Sequence, residues 1–155
     1  IARSYRYIIL NTKVTSALFF DKVSWEQHPL DHDKMSQAAQ ILIGEHDFSA
    51  FRAAGCQSNT ACRNVHDISV KRLGDVIFID IKANAFLYHM VRNIAGSLIQ
   101  VGKQQKSDQW FTQVFEGKDR SKAAKTAPAE GLYFVRVHYP EQFKLPFEGK
   151  RPVLF

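Results

Sequence analysis

NVHDISVKRLGDVIFIDIKA, residues 64–83, is the stretch of sequence that decides the fold. Its alternating and β-branched residues predict two strands, 64–73 and 76–83, joined at Gly74-Asp75, a dipeptide typical of a hairpin turn. Four consecutive apolar residues, 76–79, indicate that both faces of the second strand are covered. A hairpin pairs its strands antiparallel, so we expect a mixed or antiparallel sheet.

Helices and further strands are predicted on either side of this hairpin. Strand patterns occur at 4–11 (SYRYIILN) and 131–139 (GLYFVRVHY), and 18–25 is expected to be extended but irregular. Helical spacing predicts three helices. The first is capped by Asp31 or Asp33 and ends at Gly44, and its inward residues are Met35, Ala38, Ala39, Leu42 and Ile43. The second covers 86–101, and the third is capped by Ser107. Residues 47–61 are expected to form a long loop, and the tail from Pro140 to cover the surface. The class is therefore α+β, with a mixed or antiparallel sheet flanked by helices.

Length and composition are those of a single soluble domain. The chain has 155 residues, of which 45% are hydrophobic and 23% charged. No apolar run approaches the ~20 residues that span a bilayer. Residues 1–7 (IARSYRY) have neither an initiator Met nor an apolar signal core and begin directly on a strand pattern. We therefore expect a cytoplasmic chain that is part of a longer protein, without membrane contact.

The charge balance is basic. Lys and Arg total 21 against 15 Asp and Glu, which gives a net charge of +6 and a pI near 9.4. Such an excess fits a polyanionic partner, because basic side chains release counterions from a phosphate backbone. It also fits plain solubility, and composition leaves both interpretations open. The basic residues are spread along the chain, so a binding face would have to be assembled by folding.

Residue spacing alone indicates neither a metal site nor a cofactor site. The six histidines form no HxH or HExxH pattern, and Pro29 separates His28 from His32. There is no glycine-rich phosphate loop. Cys56 and Cys62 form no CxxC pair, and free thiols are expected. We expect no metal and no cofactor, and spacing does not identify an enzyme.

The aromatic and basic residues of 3–7 permit two interpretations. Arg3, Tyr5 and Tyr7 share one face of a strand, whereas Arg6 points to the other. The pattern suits a phosphate and a stacked base. It equally suits an edge strand with packed tyrosines and solvated arginines. Arg92 also permits two interpretations. It lies off the apolar stripe of its helix, on the side of His89 and Asn93, and that side faces either solvent or a cleft.

Four stretches together resemble the TruA-type tRNA pseudouridine synthases, known as tRNA pseudouridine synthase A. Residues 2–7 (ARSYRY) resemble the family's A-R-x-Y-x-Y segment, and 44–52 (GEHDFSAFR) resemble G-x-H-D-F-[ST]-x-F. Residues 82–94 (KANAFLYHMVRNI) resemble A-x-x-F-L-x-x-M-V-R-x-I, and 127–132 (APAEGL) resemble A-P-A-x-G-L. The matches follow the family's order and extend over almost the whole chain.

The resemblance implies isomerisation of uridine to pseudouridine in the tRNA anticodon stem-loop (tRNA positions 38 to 40), without a cofactor, by a homodimer. It implies that residues 1–155 are a pseudouridine synthase-like C-terminal domain. The family's catalytic aspartate lies in an upstream G-R-T-D-x-G-x-H motif that this sequence does not contain. We therefore expect the nucleophile to lie outside the chain, and the chain alone to be inactive.

The resemblance also assigns roles to individual residues. Arg92 matches the arginine that pairs with the catalytic aspartate. Tyr5 matches the tyrosine that packs against the flipped uracil, and its hydroxyl is expected to assist proton transfer. Leu87 is expected to line the uracil pocket. Expected tRNA contacts are Arg3, Lys13, Gly55, Cys56, Gln57, Ser58 and Asn59.

A second function class remains beside the enzyme, a non-catalytic RNA-binding module. The sequence upstream of Ile1 separates the two, because only an enzyme would have the G-R-T-D-x-G-x-H motif there.

Overall fold

A computed structural model of the chain describes residues 1–146 and 152–153. Within them lie six strands and three α-helices, so the class is α+β as predicted. The strands are β1 (Ala2–Asn11), β2 (Ser24–Glu26), β3 (Gly44–Asp47), β4 (Cys62–Leu73), β5 (Val76–Ala83) and β6 (Leu132–His138). The helices are α1 (His32–Ala39), α2 (Met90–Gly102) and α3 (Asp108–Gly117). None of the helices in this described part is long and apolar enough to cross a membrane.

Strand β1 lies inside a mixed sheet of order β2-β1-β5-β4-β3. One edge of β1 pairs antiparallel with β5. The other edge is shared, because β6 pairs antiparallel with its first half and β2 pairs parallel with its last three residues. In the described part of the chain β6 pairs only with β1, so its outer edge is unpaired. The mixed sheet is confirmed, and β1 is not the edge strand of the alternative interpretation.

The predicted hairpin is confirmed. Strands β4 and β5 pair antiparallel down to Leu73 and Val76, and the turn between them holds Gly74 at φ +58°. A positive φ of this size favours glycine. Seven of the eight residues of β5 are buried, so both faces of this strand are covered as its apolar run predicted.

Each face of the sheet buries its own apolar cluster. The larger cluster lies under the helices and includes Tyr7, Ile9, Ile77 and Ile79. The smaller cluster lies on the opposite face and consists of Ile8, Leu10, Val23, Val76 and Phe78. Successive residues of β1 and β5 alternate between the two clusters, as side chains of a strand must.

A buried ion pair accompanies the smaller cluster. Nε of Arg6 donates to Oδ1 of Asp80 at 2.7 Å, and Nη2 donates to Oδ2 at 2.8 Å. The guanidinium carbon lies 4.3 Å from the centre of the Phe78 ring, and Nη1 donates to the carbonyl of Pro152 at 3.0 Å. The prediction that Arg6 faces away from the tyrosines is confirmed, but the arginine is 7% exposed rather than solvated.

Several predicted boundaries are wrong. Helix α2 begins at Met90, because residues 84–89 are irregular and His89 has a left-handed φ of +56°. Helix α1 ends at Ala39, so Gly44 opens strand β3 instead of ending the helix, and Ile43 is 40% exposed. Strand β3 lies partly within the predicted loop. The described tail, 140–146, is exposed as predicted, whereas 147–151 and 154–155 lie outside the described residues.

Candidate functional site

Arg92 lies in the first turn of α2 and is held by main chain. Its Nε donates to the carbonyl of Ala127 at 2.8 Å, and the amide of Ala127 donates to the carbonyl of Arg92 at 3.1 Å. Nη1 lies 3.1 Å from Nε2 of His89. Within residues 1–146 and 152–153, Nη2 has no hydrogen-bond partner. One side of the half-buried guanidinium is therefore anchored and the other side remains available.

His89 is neutral in this arrangement. Because the arginine can only donate, Nε2 of His89 must accept, which places the imidazole proton on Nδ1. Partial burial lowers the pKa of His89, and the nearby Arg92 charge lowers it further. The pair thus keeps a single positive charge, which is carried by Arg92.

The segment that anchors Arg92 is itself fastened to α2. We call residues 123–128 the strap. The amide of Ala124 donates to Oγ of Ser97 at 3.2 Å, and Thr126 Oγ1 donates to Oδ1 of Asn93 at 2.6 Å. Gly96 lies under the strap, where an added Cβ would collide with the carbonyl of Lys125. Four neighbouring α2 positions, 92, 93, 96 and 97, therefore receive the strap.

Arg120 closes the other side of the strap. Its Nη1 donates to the carbonyl of Ala124 at 2.8 Å, and its Nη2 donates to Oδ1 of Asn93 at 3.0 Å and to Oγ1 of Thr126 at 3.1 Å. The Nδ2 of Asn93 donates to the carbonyl of Phe51 at 2.8 Å. These bonds join Arg120, the strap, α2 and the Phe51 carbonyl, so the position of Ala127 relative to Arg92 is tightly determined.

Two residues of this network differ from the sequence interpretation. Asn93 was expected beside Arg92 on a polar face directed to solvent or a cleft, but it is fully buried beneath the strap. Arg120 was not singled out at all. Its only sequence signal is its place in a basic stretch between α3 and the APAEGL segment, which does not predict a contact with Asn93, 27 positions away.

Tyr5 lies among aromatic rings at one end of β1. Its ring centre is 4.9 Å from that of Phe86 and 5.5 Å from that of Phe134, both in edge-to-face geometry. The β1–β6 register shifts between Ser4 and Tyr5. Such bulges bend a strand and redirect side chains. Tyr5 is half-buried and Phe134 is 53% exposed, so the cluster offers aromatic surface at the end of the sheet.

Tyr7 connects this strand to the strap. Its hydroxyl donates to the carbonyl of Pro128 at 2.7 Å, and burial raises its pKa well above the ordinary value of 10. Gly131 permits the contact, because an added Cβ would lie 2.7 Å from Cζ of Tyr7 and 2.8 Å from the carbonyl of Ile8. The described contacts include none between Tyr5 and Arg92, but β1 and α2 meet through neighbouring strap carbonyls.

The segment preceding α2 lies against the loop expected to contact tRNA. The amide of Ala53 donates to the carbonyl of Tyr88 at 3.1 Å, and the amide of Tyr88 donates to Sγ of Cys56 at 3.4 Å. The Tyr88 and Ser58 amides lower the pKa of the Cys56 thiol to about 7. The loop therefore contacts Tyr88, which precedes Arg92 by four residues in the sequence.

Arginine side chains hold this loop from within. Nη2 of Arg52 donates to the carbonyls of Cys56 and Ser58 at 3.2 and 2.7 Å. Nη2 of Arg63 donates to Oγ of Ser58 at 2.8 Å. Gly55 has φ +82°, and no atom lies within 4 Å of where a Cβ would stand.

Gln57 and Asn59 are both exposed. The loop therefore presents polar side chains to solvent, whereas its basic neighbours support it from within, Arg52 through main-chain carbonyls and Arg63 through the Ser58 hydroxyl. Whether residues 55–59 contact tRNA stays a prediction.

The remaining predicted site residues occupy different surroundings. Leu87 is 3% exposed and belongs to the larger apolar cluster. Arg3 is exposed near Tyr5, at the start of β1, whereas Lys13 is exposed just beyond the other end of that strand. At ~3.3 Å per residue, the ten residue steps between them correspond to roughly 30 Å. The structure therefore brings Arg3, but not Lys13, to the end of the sheet that holds Tyr5.

No group of three or more His, Cys, Asp or Glu side chains in the described residues could hold a metal ion. The chemistry available at this site is that of an anchored arginine, a neutral histidine and an aromatic surface. An anchored guanidinium can pair with a carboxylate or a phosphate, and an aromatic surface can receive a planar base.

Comparison with known proteins gives consistent matches. A family model described as tRNA pseudouridine synthase matches residues 38–140. The chain is 54% identical, over 94% of its length, to tRNA pseudouridine synthase A of Hydrogenovibrio crunogenus. It is 56% identical over 98% of its length to the protein of that name from Actinobacillus pleuropneumoniae serotype 7, and 54% identical over 100% to that from Glaesserella parasuis serovar 5. The chain spans 56%, 58% and 59% of the length of these relatives.

Proposed function

The chain belongs to the tRNA pseudouridine synthase family, and from this membership we propose that it is the C-terminal domain, residues 1–155, of an enzyme that isomerises uridine to pseudouridine. We propose the tRNA anticodon stem-loop as substrate, the cytoplasm as location, and a homodimer as the working form. The net charge of +6 supports a tRNA partner, because basic side chains release counterions from a phosphate backbone. A dimer would carry twice this charge.

The observation that carries this proposal is the anchored guanidinium of Arg92. Its Nε is occupied by the Ala127 carbonyl and its Nη1 by His89, so Nη2 remains for a carboxylate. A positive charge at close range keeps a carboxylate ionised and therefore nucleophilic. We infer that this carboxylate lies outside residues 1–155, because the sequence contains no G-R-T-D-x-G-x-H segment.

The reaction is a rearrangement of bonds within the substrate, so it needs no cofactor. The bond between N1 of uracil and C1′ of the ribose breaks, a bond between C5 and C1′ forms, and the proton on C5 is replaced by one on N1. The aspartate attacks and is released again, so nothing is consumed. In this scheme Arg92 keeps the aspartate ionised and oriented, and no group of this chain acts as the nucleophile.

Tyr5 is proposed to receive the flipped base. A target base must leave the RNA stack to be reached, and an aromatic surface offsets part of the stacking that is lost. The half-buried ring of Tyr5, supported by Phe86 and Phe134, fits that role. Its hydroxyl is proposed to assist transfer of the C5 proton. We propose that Leu87 lines the uracil pocket, and that Arg3, Lys13 and residues 55–59 contact tRNA.

The test of the Arg92 role is Arg92→Leu in the full-length enzyme. We expect loss of pseudouridine formation with tRNA binding largely retained, because the arginine acts on the aspartate. Arg136→Leu, which removes one positive charge from β6, is the matched control and should remain active. Turnover near the wild-type rate in Arg92→Leu would contradict the carboxylate-pairing role.

The placement of the nucleophile has a separate test. The full-length protein should form pseudouridine in an anticodon stem-loop RNA, whereas residues 1–155 alone should not. Turnover by the isolated chain would show that the nucleophile lies within it. If the full-length protein bound tRNA but formed no pseudouridine, the non-catalytic RNA-binding module would be the better description.

A further inference from the structure

A basic groove of about 630 Å³ runs between the strap, helix α2 and strand β2. We propose that it binds the sugar–phosphate backbone of the tRNA substrate away from the nucleotide that is modified, an inference that rests on the proposed function. The residues that carry the argument are Trp25, Lys103, Lys106, Trp110, Lys122 and Lys125. None of them belongs to the motifs that indicated an RNA contact.

The groove has uncompensated positive charge. Of its four lysines, Lys103 pairs with the one lining carboxylate, Glu26, at 3.1 Å, with 16% and 13% of these two side chains exposed. Lys106, Lys122 and Lys125 are exposed, and none of them forms an ion pair with another described residue. Three unpaired cations around one groove favour an occupant with several negative charges at regular spacing, such as a phosphate backbone.

Two aromatic rings, Trp25 and Trp110, line the same groove. Trp25 is 41% exposed, and its Nε1 donates to the carbonyl of Thr12 at 2.9 Å, which orients the indole. Trp110 is half-buried, and Nζ of Lys106 lies 5.6 Å from the centre of its ring. Exposed aromatic surface interleaved with lysines is typical of single-stranded or looped nucleic acid sites, where each stacked base contributes ~1–3 kcal/mol. This favours RNA over an acidic peptide.

The groove and the Arg92 site share the strap. Thr126, Ala127 and Pro128 line the groove. The same peptide units accept hydrogen bonds from Arg92, through the Ala127 carbonyl, and from Tyr7, through the Pro128 carbonyl. An RNA backbone in the groove would therefore lie directly beside the segment that positions Arg92. The groove would add a second anchoring point for a substrate whose target base enters at the catalytic site.

The proposal is tested by the salt dependence of tRNA binding to the full-length enzyme. Each lysine that contacts a phosphate contributes ~1 to the slope of log K against log salt concentration. We expect Lys122→Gln to lower the slope by ~1, and Lys122→Gln with Lys125→Gln to lower it by ~2. Single-turnover pseudouridine formation by Lys122→Gln at saturating tRNA should not change, because Lys122 lies outside the strap.

Lys71→Gln is the matched control. Lys71 is exposed on β4, and its neighbour Val70 belongs to the cluster under the helices, so Lys71 faces the opposite side of the sheet. This variant should keep the wild-type slope. An unchanged slope in the Lys122 and Lys125 variants, in an enzyme that still forms pseudouridine, would overturn the groove proposal and leave the proposed function intact. Absence of pseudouridine formation in the wild-type protein would contradict the proposed function instead.

Acylation of lysines provides a second measurement. In the free enzyme Lys106, Lys122 and Lys125 should react with an amine-acylating reagent, and bound tRNA should protect them, whereas Lys71 should react equally in both states. Lysines that are unreactive in the free enzyme would show that another part of the protein covers the groove, and the proposal would be wrong. Protection by polyglutamate but not by tRNA would also overturn it.

Discussion

His89 is the residue whose protonation state bears most directly on Arg92. Its pKa lies below the ordinary value of 6.5, chiefly through burial and then through the Arg92 charge. We expect an NMR titration to give a pKa below 6.5 with the neutral ring protonated on Nδ1. Arg92→Leu should raise this pKa, because it removes the like charge. A wild-type pKa at or above 6.5 would contradict the arrangement.

The lowered pKa of His89 makes the free energy of unfolding depend on pH. The unfolded chain binds a proton at His89 near pH 6.5, whereas the folded chain binds it only at lower pH, so the free energy of unfolding falls as pH decreases through this window. His89→Asn should reduce this fall, since asparagine tolerates the left-handed φ and does not titrate. Part of the fall should remain, because the pKa of His138 is also lowered. Urea unfolding at several pH values measures both.

The buried ion pair of Arg6 and Asp80 allows a second residue-scale prediction. Removal of one partner of a buried pair typically costs about 3–5 kcal/mol, because the other charge is left without compensation. We expect a loss of this size from Asp80→Asn. The double variant Arg6→Met, Asp80→Leu should lose less. A loss below about 1 kcal/mol in the single variant, by urea unfolding, would contradict the burial of the pair.

Single residues differ in how far the sequence could predict them. The period of two placed Arg6 opposite Tyr5 and Tyr7, but the partner Asp80 is 74 positions away and no local pattern identifies it. Resemblance singled out Arg92 and Tyr5, whereas Asn93 and Arg120 were misplaced or missed. Their role depends on contacts between α2 and a distant loop, which spacing within one helix cannot show.

The strap and helix α2 are joined by Arg120, which we expect to act as a positioning residue for Arg92. Arg120→Ala should let the strap move relative to Arg92 and lower the catalytic rate by roughly 10–100-fold, since displacements near 1 Å can have effects of this size. The binding constant for tRNA should change little. Lys122→Ala, in the same short turn, should keep the single-turnover rate at saturating tRNA. A loss of tRNA affinity without a loss of rate in Arg120→Ala would contradict the positioning role.

Glycine packing between β1 and the segment before β6 gives another element-scale prediction. An added Cβ at Gly131 would meet Tyr7 and the Ile8 carbonyl within 2.8 Å. Gly131→Ala should therefore cost about 1–3 kcal/mol through overpacking. Gly117→Ala, at the end of α3, meets nothing within 4 Å and should be near neutral. Equal stabilities of the two variants in thermal unfolding would contradict the close contact.

At the scale of elements, strong local patterns succeeded and weak ones failed. The hairpin was predicted because both its strands and its turn have clear signals. Strand β3 was missed because GEHD contains no β-branched residue, and it forms through pairing with β4. Residues 86–89 continue the helical spacing, but the main chain of Tyr88 contacts the neighbouring loop instead, through Ala53 and Cys56. Tertiary contacts thus decide where α2 begins.

The whole molecule should show a clear gradient of protection in hydrogen exchange. Strands β1 and β5 are paired on both sides and largely buried, and eleven of the thirteen residues of α2 are buried. Their amides should exchange slowest, because they open only with the global unfolding of the chain. Residues 13–21 are mostly exposed and irregular, and should exchange fastest. Slow exchange at 13–21 would contradict the described structure of that segment.

The architecture as a whole was only partly accessible from the sequence. A hairpin among alternating helices and strands was enough to predict an α+β class with a mixed or antiparallel sheet. The order of the strands could not be predicted, because the pairing of β1 with β5, β6 and β2 joins residues that are far apart in the chain. The net charge suggested an anionic partner, but the clustering of lysines around one groove depends on folding.

One edge of β6 has no partner in the described part of the chain, and this affects how residues 1–155 behave when they are prepared alone. An open strand edge is a template for edge-to-edge pairing, and Phe134 adds an exposed aromatic side chain to it. Preparations of residues 1–155 should therefore show light scattering that grows with concentration. A lysine on this edge, as in Val135→Lys, should suppress it, so the solubility of the isolated chain can be engineered at one strand without touching Arg92 or Tyr5.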